Sequence, residues 1–136
     1  MRAESRTWQN FTYSEFRCKK LLKDGKFETC KHCDGSNETS EKLISLLDFI
    51  RNLIRTPMVV NSGFRCEKRN KEAGGKEDSE HTTGHGADIK CEDSKMRYLL
   101  IDTALSMGFK RIGIGDTFIH LGISKDRPSE VIWIYS

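Results

Sequence analysis

The chain has 136 residues, 36% hydrophobic and 32% charged, a size and balance typical of one globular domain with a single core. Its formal net charge of +3 comes from 23 Lys and Arg spread among 20 Asp and Glu, so no basic stripe of the kind that binds nucleic acid is visible. No apolar run approaches the ~18 residues that would predict a membrane-spanning helix.

The first third of the chain is predicted to be mostly irregular. Residues 1–17 indicate an irregular entry with a short helix over 13–16. Residues 19–38 are polar and rich in Lys, Gly, Asn and Cys. We interpret them as a long Cys-rich loop insertion that depends on its cysteines for order.

An amphipathic helix is predicted over residues 40–55, where Leu and Ile recur at i, i+3, i+4 and i+7. Thr39 or Ser40 can cap its start, and Pro57 cannot continue it. The apolar residues 58–60 then favour a short buried strand.

The middle of the chain alternates between short helices and a strand. Residues 66–73 favour a short helix that the pair Gly74-Gly75 ends. Residues 87–90 favour a strand. A second amphipathic helix is expected over 94–107, with Ser94 as its cap and a glycine directly after its end.

Three β-rich runs close the sequence, at 111–114, 117–123 and 131–135. Helices interleaved with short strands predict an α+β domain, with helices packed on one side of a small, mainly antiparallel sheet. We expect residues 1–136 to form this single domain.

The five cysteines leave several arrangements open. An odd count leaves at least one free thiol if the others pair. Cys30 and Cys33 form a Cys-x2-Cys pair, compatible with a disulfide, a redox motif or half of a zinc site, which His32 between them could join. A four-thiolate site would take two more ligands from the other three cysteines, which are Cys18, Cys66 and Cys91.

A candidate metal site is visible in residues 79–88, S-E-H-T-T-G-H-G-A-D. His81 and Asp88 are seven positions apart, and the glycines between them allow a tight turn that brings the two side chains together. Imidazole and carboxylate suit Zn²⁺. His120, in the middle of a predicted strand, is the best candidate for a third ligand, which would leave an open position as in catalytic zinc sites.

These residues resemble a known family. The pattern S-x-H-x2-G-x3-D is similar to the first motif of the LAS metallopeptidases, a superfamily that unites lysostaphin, D-alanyl-D-alanine carboxypeptidases and sonic hedgehog. Further segments resemble the zinc D-alanyl-D-alanine carboxypeptidase branch and extend the resemblance over nearly the whole chain: 10–18 (NFTYSEFRC), 61–66 (NSGFRC), 70–75 (NKEAGG), 118–121 (FIHL) and 131–135 (VIWIY).

The resemblance implies a hedgehog/DD-peptidase-like fold and zinc ligation by His81, Asp88 and His120. It also implies that Arg65 binds and polarises the substrate, and that Ser79, expected at the substrate-binding site, supports the first ligand. A peptide carboxylate suits the guanidinium fork of Arg65.

The general base is where this sequence departs from the family pattern. Thr117 and Phe118 stand where relatives place a Glu or a His before the third ligand, and Gly122 stands where closer relatives carry an Asp. Asp116 is the nearest acid and is our catalytic candidate. Glu80 and His85, beside the first motif, are the other choices.

The resemblance thus predicts a zinc-dependent peptidase that cleaves peptidoglycan peptides through a zinc-activated water, as a D-Ala-D-Ala carboxypeptidase or a cell-wall endopeptidase. An inactive, zinc-stabilised binding module of the same fold is the alternative. A more remote one is a protein in which only cysteines hold metal, with the fourth from either Cys66 or Cys91.

The expected partner is a peptidoglycan stem peptide or cross-bridge, bound by a monomer acting at the cell wall or periplasm. The first ten residues lack the apolar core of a signal peptide. We therefore expect either a protein that stays in the cytosol until released, as a phage-type lysis enzyme does, or a sequence that starts after a cleaved leader.

Overall fold

The structure, a computed structural model, describes residues 6–135 and confirms the α+β class. Its α-helices are α1 (Glu41–Ile54), α2 (Glu67–Glu72) and α3 (Ser94–Ser106). Its strands are β1 (Lys19–Leu21), β2 (Phe27–Thr29), β3 (Val60–Ser62), β4 (Gly86–Lys90), β5 (Arg111–Ile114), β6 (Phe118–Gly122) and β7 (Val131–Ile134). Two short 3-10 turns lie at Tyr13–Phe16 and Glu80–Thr83.

Five of the strands form one sheet in the order β3-β4-β6-β5-β7. Every neighbouring pair is antiparallel except β5 and β7, which run parallel. Strands β1 and β2 form a separate antiparallel hairpin. The mainly antiparallel sheet that the sequence predicts is therefore present.

The two faces of the five-stranded sheet have different roles. Along β6, Ile119 and Leu121 are fully buried in the main core, while His120 between them points to the opposite face because side chains alternate along a strand. On β4, Ala87 and Ile89 join the same core and Asp88 points the other way. One face therefore holds the core, and the other carries the polar side chains.

Helices α1 and α3 contribute to that core and contact each other. The apolar stripe of α1 is buried, and the Ser40 side chain caps the helix by accepting from the Leu43 amide at 3.4 Å. The helix ends when Arg55 adopts a left-handed conformation, with φ of 54°, two residues before Pro57. The expected helix over 40–55 is thus confirmed.

Several predicted details are corrected. Residues 19–38 are not only loop, because they contain the β1–β2 hairpin. The cap of α3 is Asp93, whose carboxylate accepts from the Met96 amide at 2.7 Å, and Ser94 is already helical. The strand expected at 58–60 lies instead at Val60–Ser62, because pairing with β4 sets its position.

The N-terminal prediction is tested only in part. Tyr13–Phe16 forms the expected short helical segment as a 3-10 turn, whereas the first five residues of the predicted irregular entry lie outside the described residues. Within 6–135, no helix combines the length and the apolarity needed to cross a membrane.

Candidate metal centre

His81, Asp88 and His120 come together on the polar face of the sheet. His81 Nε2 lies 3.2 Å from Asp88 Oδ1, and His120 Nδ1 lies 2.9 Å from the same oxygen. One donor atom from each residue lies within 4.8 Å of the other two, and all three residues are buried. The structure therefore gathers the three side chains that the sequence motif singled out.

Strand pairing and a local turn bring the three side chains together. Asp88 and His120 are directly paired across β4 and β6. His81 lies in the 3-10 turn that precedes β4, and the Ser79 hydroxyl accepts from the His81 amide at 3.2 Å. Ser79 thus positions His81 through its backbone. Gly84 ends the turn with φ of 79°, a left-handed conformation that favours glycine.

The outer nitrogen of each imidazole has its own acceptor. His81 Nδ1 donates to the Gly63 carbonyl at 2.7 Å, and His120 Nε2 donates to Glu80 Oε1 at 2.9 Å. These bonds fix the ring orientations and direct His81 Nε2 and His120 Nδ1 toward Asp88. Backbone carbonyl or carboxylate acceptors of this kind usually support metal-binding histidines.

Glu80 is the functional residue whose role sequence reasoning missed. Its carboxylate is almost fully buried, with Oε2 accepting from the Ser124 amide at 3.1 Å and Oε1 forming an ion pair with Arg111 Nε at 3.0 Å. A Cβ at Gly122 would overlap this carboxylate, and one at Gly86 would lie 2.7 Å from His120 Cε1. Gly86 and Gly122 are the sequence features that could have indicated this role, because they leave the space that the Glu80–His120 pair fills.

The charges of this cluster are strongly coupled. Burial alone would lower the pKa of His120, but hydrogen bonds to Asp88 and Glu80 and their negative charges raise it to about 9. Burial opposes ionisation of Glu80, yet the hydrogen bond and charge of His120 lower its pKa to about 2. The pKa of Asp88 is also lowered, because both imidazoles outweigh its burial. For His81, burial dominates and lowers the pKa.

Arg65 lies beside the cluster and contacts it directly. Its Nη2 donates to Asp88 Oδ2 at 3.4 Å, its Nε to Ser62 Oγ at 2.9 Å and its Nη1 to Asn70 Oδ1 at 3.1 Å. A guanidinium carries five N–H groups. Among the described residues these three bonds leave one N–H on each terminal nitrogen, and guanidinium N–H groups of this kind can bind a carboxylate or carbonyl oxygen.

The two other predicted acid–base candidates lie apart from the cluster. Asp116 is exposed in the turn between β5 and β6, and no bond between it and a cluster residue is present in the described part of the chain. His85 is half-buried, and its Nδ1 lies 3.0 Å from Thr83 Oγ1. Among residues 6–135, no hydrogen bond or ion pair joins either side chain to His81, Asp88 or His120.

Two aromatic residues border the polar face: Trp133 on β7 and Tyr135 directly after that strand. The Trp133 ring lies 5.5 Å from the His120 ring and 5.1 Å from the Arg111 guanidinium. Tyr135 is partly exposed beside Trp133, with 6.1 Å between the ring centroids. The structure places them on its polar face, while Ile132 and Ile134 are exposed.

The donor set fits zinc. Two imidazole nitrogens and one carboxylate oxygen are the ligand types of catalytic zinc sites, and three protein ligands leave one position open. The outer hydrogen bonds provide the supporting contacts that such ligands need.

Comparison with known proteins identifies the family. No curated protein matches the chain. The family model described as Peptidase M15 matches residues 9–122, a span that includes every residue of the cluster together with Arg65 and Glu80. The match covers most of the sequence, and peptidases of this family depend on zinc. The chain therefore belongs to the peptidase M15 family.

Proposed function

We propose that the protein is a zinc-dependent peptidase that cleaves peptidoglycan peptides, with His81, Asp88 and His120 holding the metal. The observation that carries this proposal is the convergence of three ligand atoms on one point, within 4.8 Å of one another. Hydrogen bonds from outside the cluster orient both imidazoles. Each imidazole bonds an acceptor outside the cluster through one nitrogen and directs the other nitrogen at Asp88, an arrangement that suits metal-binding histidines.

Bound zinc would supply Lewis-acid chemistry, lowering the pKa of a water molecule and polarising the scissile carbonyl. The protein's own residues bind and orient the peptide. Arg65 offers two N–H groups to a carbonyl or terminal carboxylate, while its other N–H groups hold it against Ser62, Asn70 and Asp88. Because the Arg65 side chain is only 14% exposed, a substrate carboxylate would meet it in a largely water-free setting.

A stem peptide ending in D-Ala-D-Ala, or a cross-bridge peptide, is the substrate class that we propose. Membership of the M15 family supports a peptide substrate. The free fork of Arg65 suits a terminal carboxylate, and the Trp133 and Tyr135 rings offer apolar surface for small side chains. Such a substrate would place the protein at the cell wall or periplasm.

A second candidate function, a zinc-stabilised binding module without turnover, is favoured by one observation. Glu80 is the only carboxylate among residues 6–135 that hydrogen-bonds to the cluster from outside it, and both of its oxygens are engaged. Peptide hydrolysis usually employs a general base near the attacking water. The peptidase proposal therefore requires a base that is not yet assigned.

Zinc content and peptide hydrolysis, measured on the same samples, test the proposal. The proteins are the wild type, His120→Ala and Arg65→Lys, with His85→Ala as a matched control, because His85 belongs to the same sequence motif but its ring bonds Thr83 and no cluster residue in the described part of the chain. The substrates are a stem peptide ending in D-Ala-D-Ala and whole peptidoglycan. Mass spectrometry of the products shows which bond is cut.

The peptidase proposal predicts hydrolysis by the wild type and His85→Ala. His120→Ala should lose both activity and the zinc at this site. Arg65→Lys should keep zinc and lose about 100-fold in kcat/KM, as when one oriented donor is removed. A wild type that holds zinc here but cuts neither substrate would overturn the peptidase proposal and support the binding module.

A further inference from the structure

A second cluster of potential metal ligands lies away from the sheet. The Sγ atoms of Cys18, Cys30, Cys33 and Cys66 all lie within 4.8 Å of one another, and all four are free thiols. Cys18 and Cys30 are buried and the other two are half-buried. With Phe64 they form a small core separate from the main one.

Three of the four cysteines come from the β1–β2 hairpin. Cys18 and Cys30 extend its ladder, since the Cys30 amide donates to the Cys18 carbonyl at 3.0 Å. Cys33 follows in a turn that the Gly35 amide closes by donating to the Cys30 carbonyl at 3.1 Å. Asp34, between them, has φ of 54°. The turn thus directs both sulfurs of the Cys-x2-Cys pair to one side.

The fourth cysteine comes from a distant part of the sequence. Cys66 is the N-cap of α2, and its sulfur accepts from the Arg69 amide at 3.4 Å. Its own amide donates to the Cys18 sulfur at 3.3 Å. Amide donors of this kind stabilise thiolates at structural metal sites, where the outer hydrogen bonds help to hold the ligands.

The sulfur separations suit a tetrahedral metal. Four thiolates at about 2.3 Å from zinc lie about 3.8 Å apart at the corners of a tetrahedron. The Cys30 and Cys66 sulfurs are 3.8 Å apart, well beyond the ~2.05 Å of a disulfide bond. The other candidates are elsewhere: His32 pairs with Glu72 at 2.8 Å, and the Cys91 sulfur lies near the Asp93 carbonyl.

The hairpin contributes little to the main core. Most side chains of β1 and β2 are exposed or half-buried, and an isolated two-stranded hairpin is marginally stable in water. A closed four-ligand site would cross-link its base to the segment before α2. Arg69 Nε donates to the Lys19 carbonyl at 3.3 Å, which joins α2 to β1 beside the cluster.

We propose that Cys18, Cys30, Cys33 and Cys66 form a structural tetrathiolate zinc site, distinct from the cluster on the sheet. Four protein ligands leave no open position, so this site has no part in hydrolysis. It holds the loop that carries Arg65, whose amide donates to the His81 carbonyl at 3.0 Å. The proposal does not depend on the proposed peptidase function.

Metal content of the full chain tests this site. The proteins are the wild type, Cys33→Ser, Cys66→Ser, His120→Ala and, as a control, Cys91→Ala, purified without chelator under reducing conditions. Cys66→Ser is the sharpest variant, because serine retains the helix cap and removes only the thiolate. Zinc is counted by elemental analysis, and cobalt(II) substitution then reports thiolate coordination through sulfur-to-metal charge-transfer absorption.

The tetrathiolate site accounts for one zinc ion, so with a second ion at the sheet cluster the wild type and Cys91→Ala should each hold about two. Each cysteine-to-serine variant should lose one zinc and the charge-transfer band. His120→Ala should keep that band, because its substitution lies at the other cluster. The wild-type band therefore tests the site even if a serine variant fails to fold. A wild type without the band after cobalt substitution, or with these cysteines in disulfides by mass spectrometry, overturns the proposal.

Discussion

The Glu80 carboxylate fills the space beside Gly122 that any larger residue would need, since the three nearest neighbours of a Cβ at 122 are all atoms of the Glu80 side chain. A buried carboxylate from position 80 therefore lies directly beside position 122. This carboxylate hydrogen-bonds to His120 Nε2 at 2.9 Å.

A double-mutant cycle between Glu80 and Gly122 should show strong coupling. Gly122→Ala forces the Glu80 carboxylate to move and should lower the free energy of unfolding by about 1–3 kcal/mol, the usual cost of overpacking. In a Glu80→Ala background the same substitution should cost much less, because the obstructing atoms are gone. Denaturant unfolding of the four proteins measures the coupling, and strictly additive effects would contradict the packing described here.

Glu80→Gln should weaken zinc binding at the sheet cluster. The amide cannot reproduce the charge that supports His120 and pairs with Arg111, and loss of such a supporting carboxylate typically costs 10–100-fold in metal affinity. Competition with a chromophoric chelator measures the dissociation constant. Glu77→Gln, an exposed position near the same turn, is the control, and equal affinities in the two variants would disprove the supporting role.

The stability of the metal-free protein should fall as pH rises above neutrality. The pKa of His120, 6.5 in its ordinary state, is raised to about 9 in the fold. A raised pKa adds stability that is fully present below pH 6.5 and is lost as pH rises through about 9. Chelator-treated protein should therefore unfold more easily at pH 9 than at 6.5, whereas chelator-treated His120→Asn should lack this component.

Saturating zinc should suppress the same pH dependence, because metal replaces the proton on His120 Nδ1. Denaturant midpoints measured with and without zinc from pH 6 to 9.5 provide the comparison. A wild-type profile parallel to that of His120→Asn would show that His120 is not protonated at neutral pH.

Asp93→Ala should destabilise the protein by about 1 kcal/mol, the usual cost of losing a helix cap. Its carboxylate accepts from the Met96 amide at 2.7 Å, whereas Ser94 lies inside the helix. Ser94→Ala should thus be neutral or slightly stabilising, because alanine favours a helix interior. Thermal or denaturant unfolding of both variants distinguishes the two residues, and the reverse order would restore Ser94 as the cap.

Local patterns predicted much of the fold. The apolar stripe of α1 predicts a helix and the apolar–polar alternation of β6 predicts a strand. In each case one buried face sets the spacing at which apolar residues recur. The strand near residue 60 was displaced because its partner β4 determines where pairing begins, and a short apolar run does not contain that information. The hairpin at 19–29 was missed because its strands are short and mostly exposed.

The sequence predicted the three candidate metal ligands but not the residues that support them. His81, Asp88 and His120 were found from residue types and spacing, and they converge in the structure. Glu80 was not assigned its role, because burial of a charged side chain depends on contacts with Ser124 and Arg111 that are remote in sequence. The same reason explains why the sequence left two choices for the fourth cysteine, which distance resolves in favour of Cys66.

The alternation of core and polar residues along the central strands has an evolutionary consequence. On β6 the odd-numbered Ile119 and Leu121 belong to the core, and the even-numbered His120 belongs to the polar face. Mutations at the two sets of positions are thus exposed to different selection, one for folding and one for chemistry. Substitutions on the polar face can therefore change its ligands or its specificity without removing a side chain from the core on the opposite face.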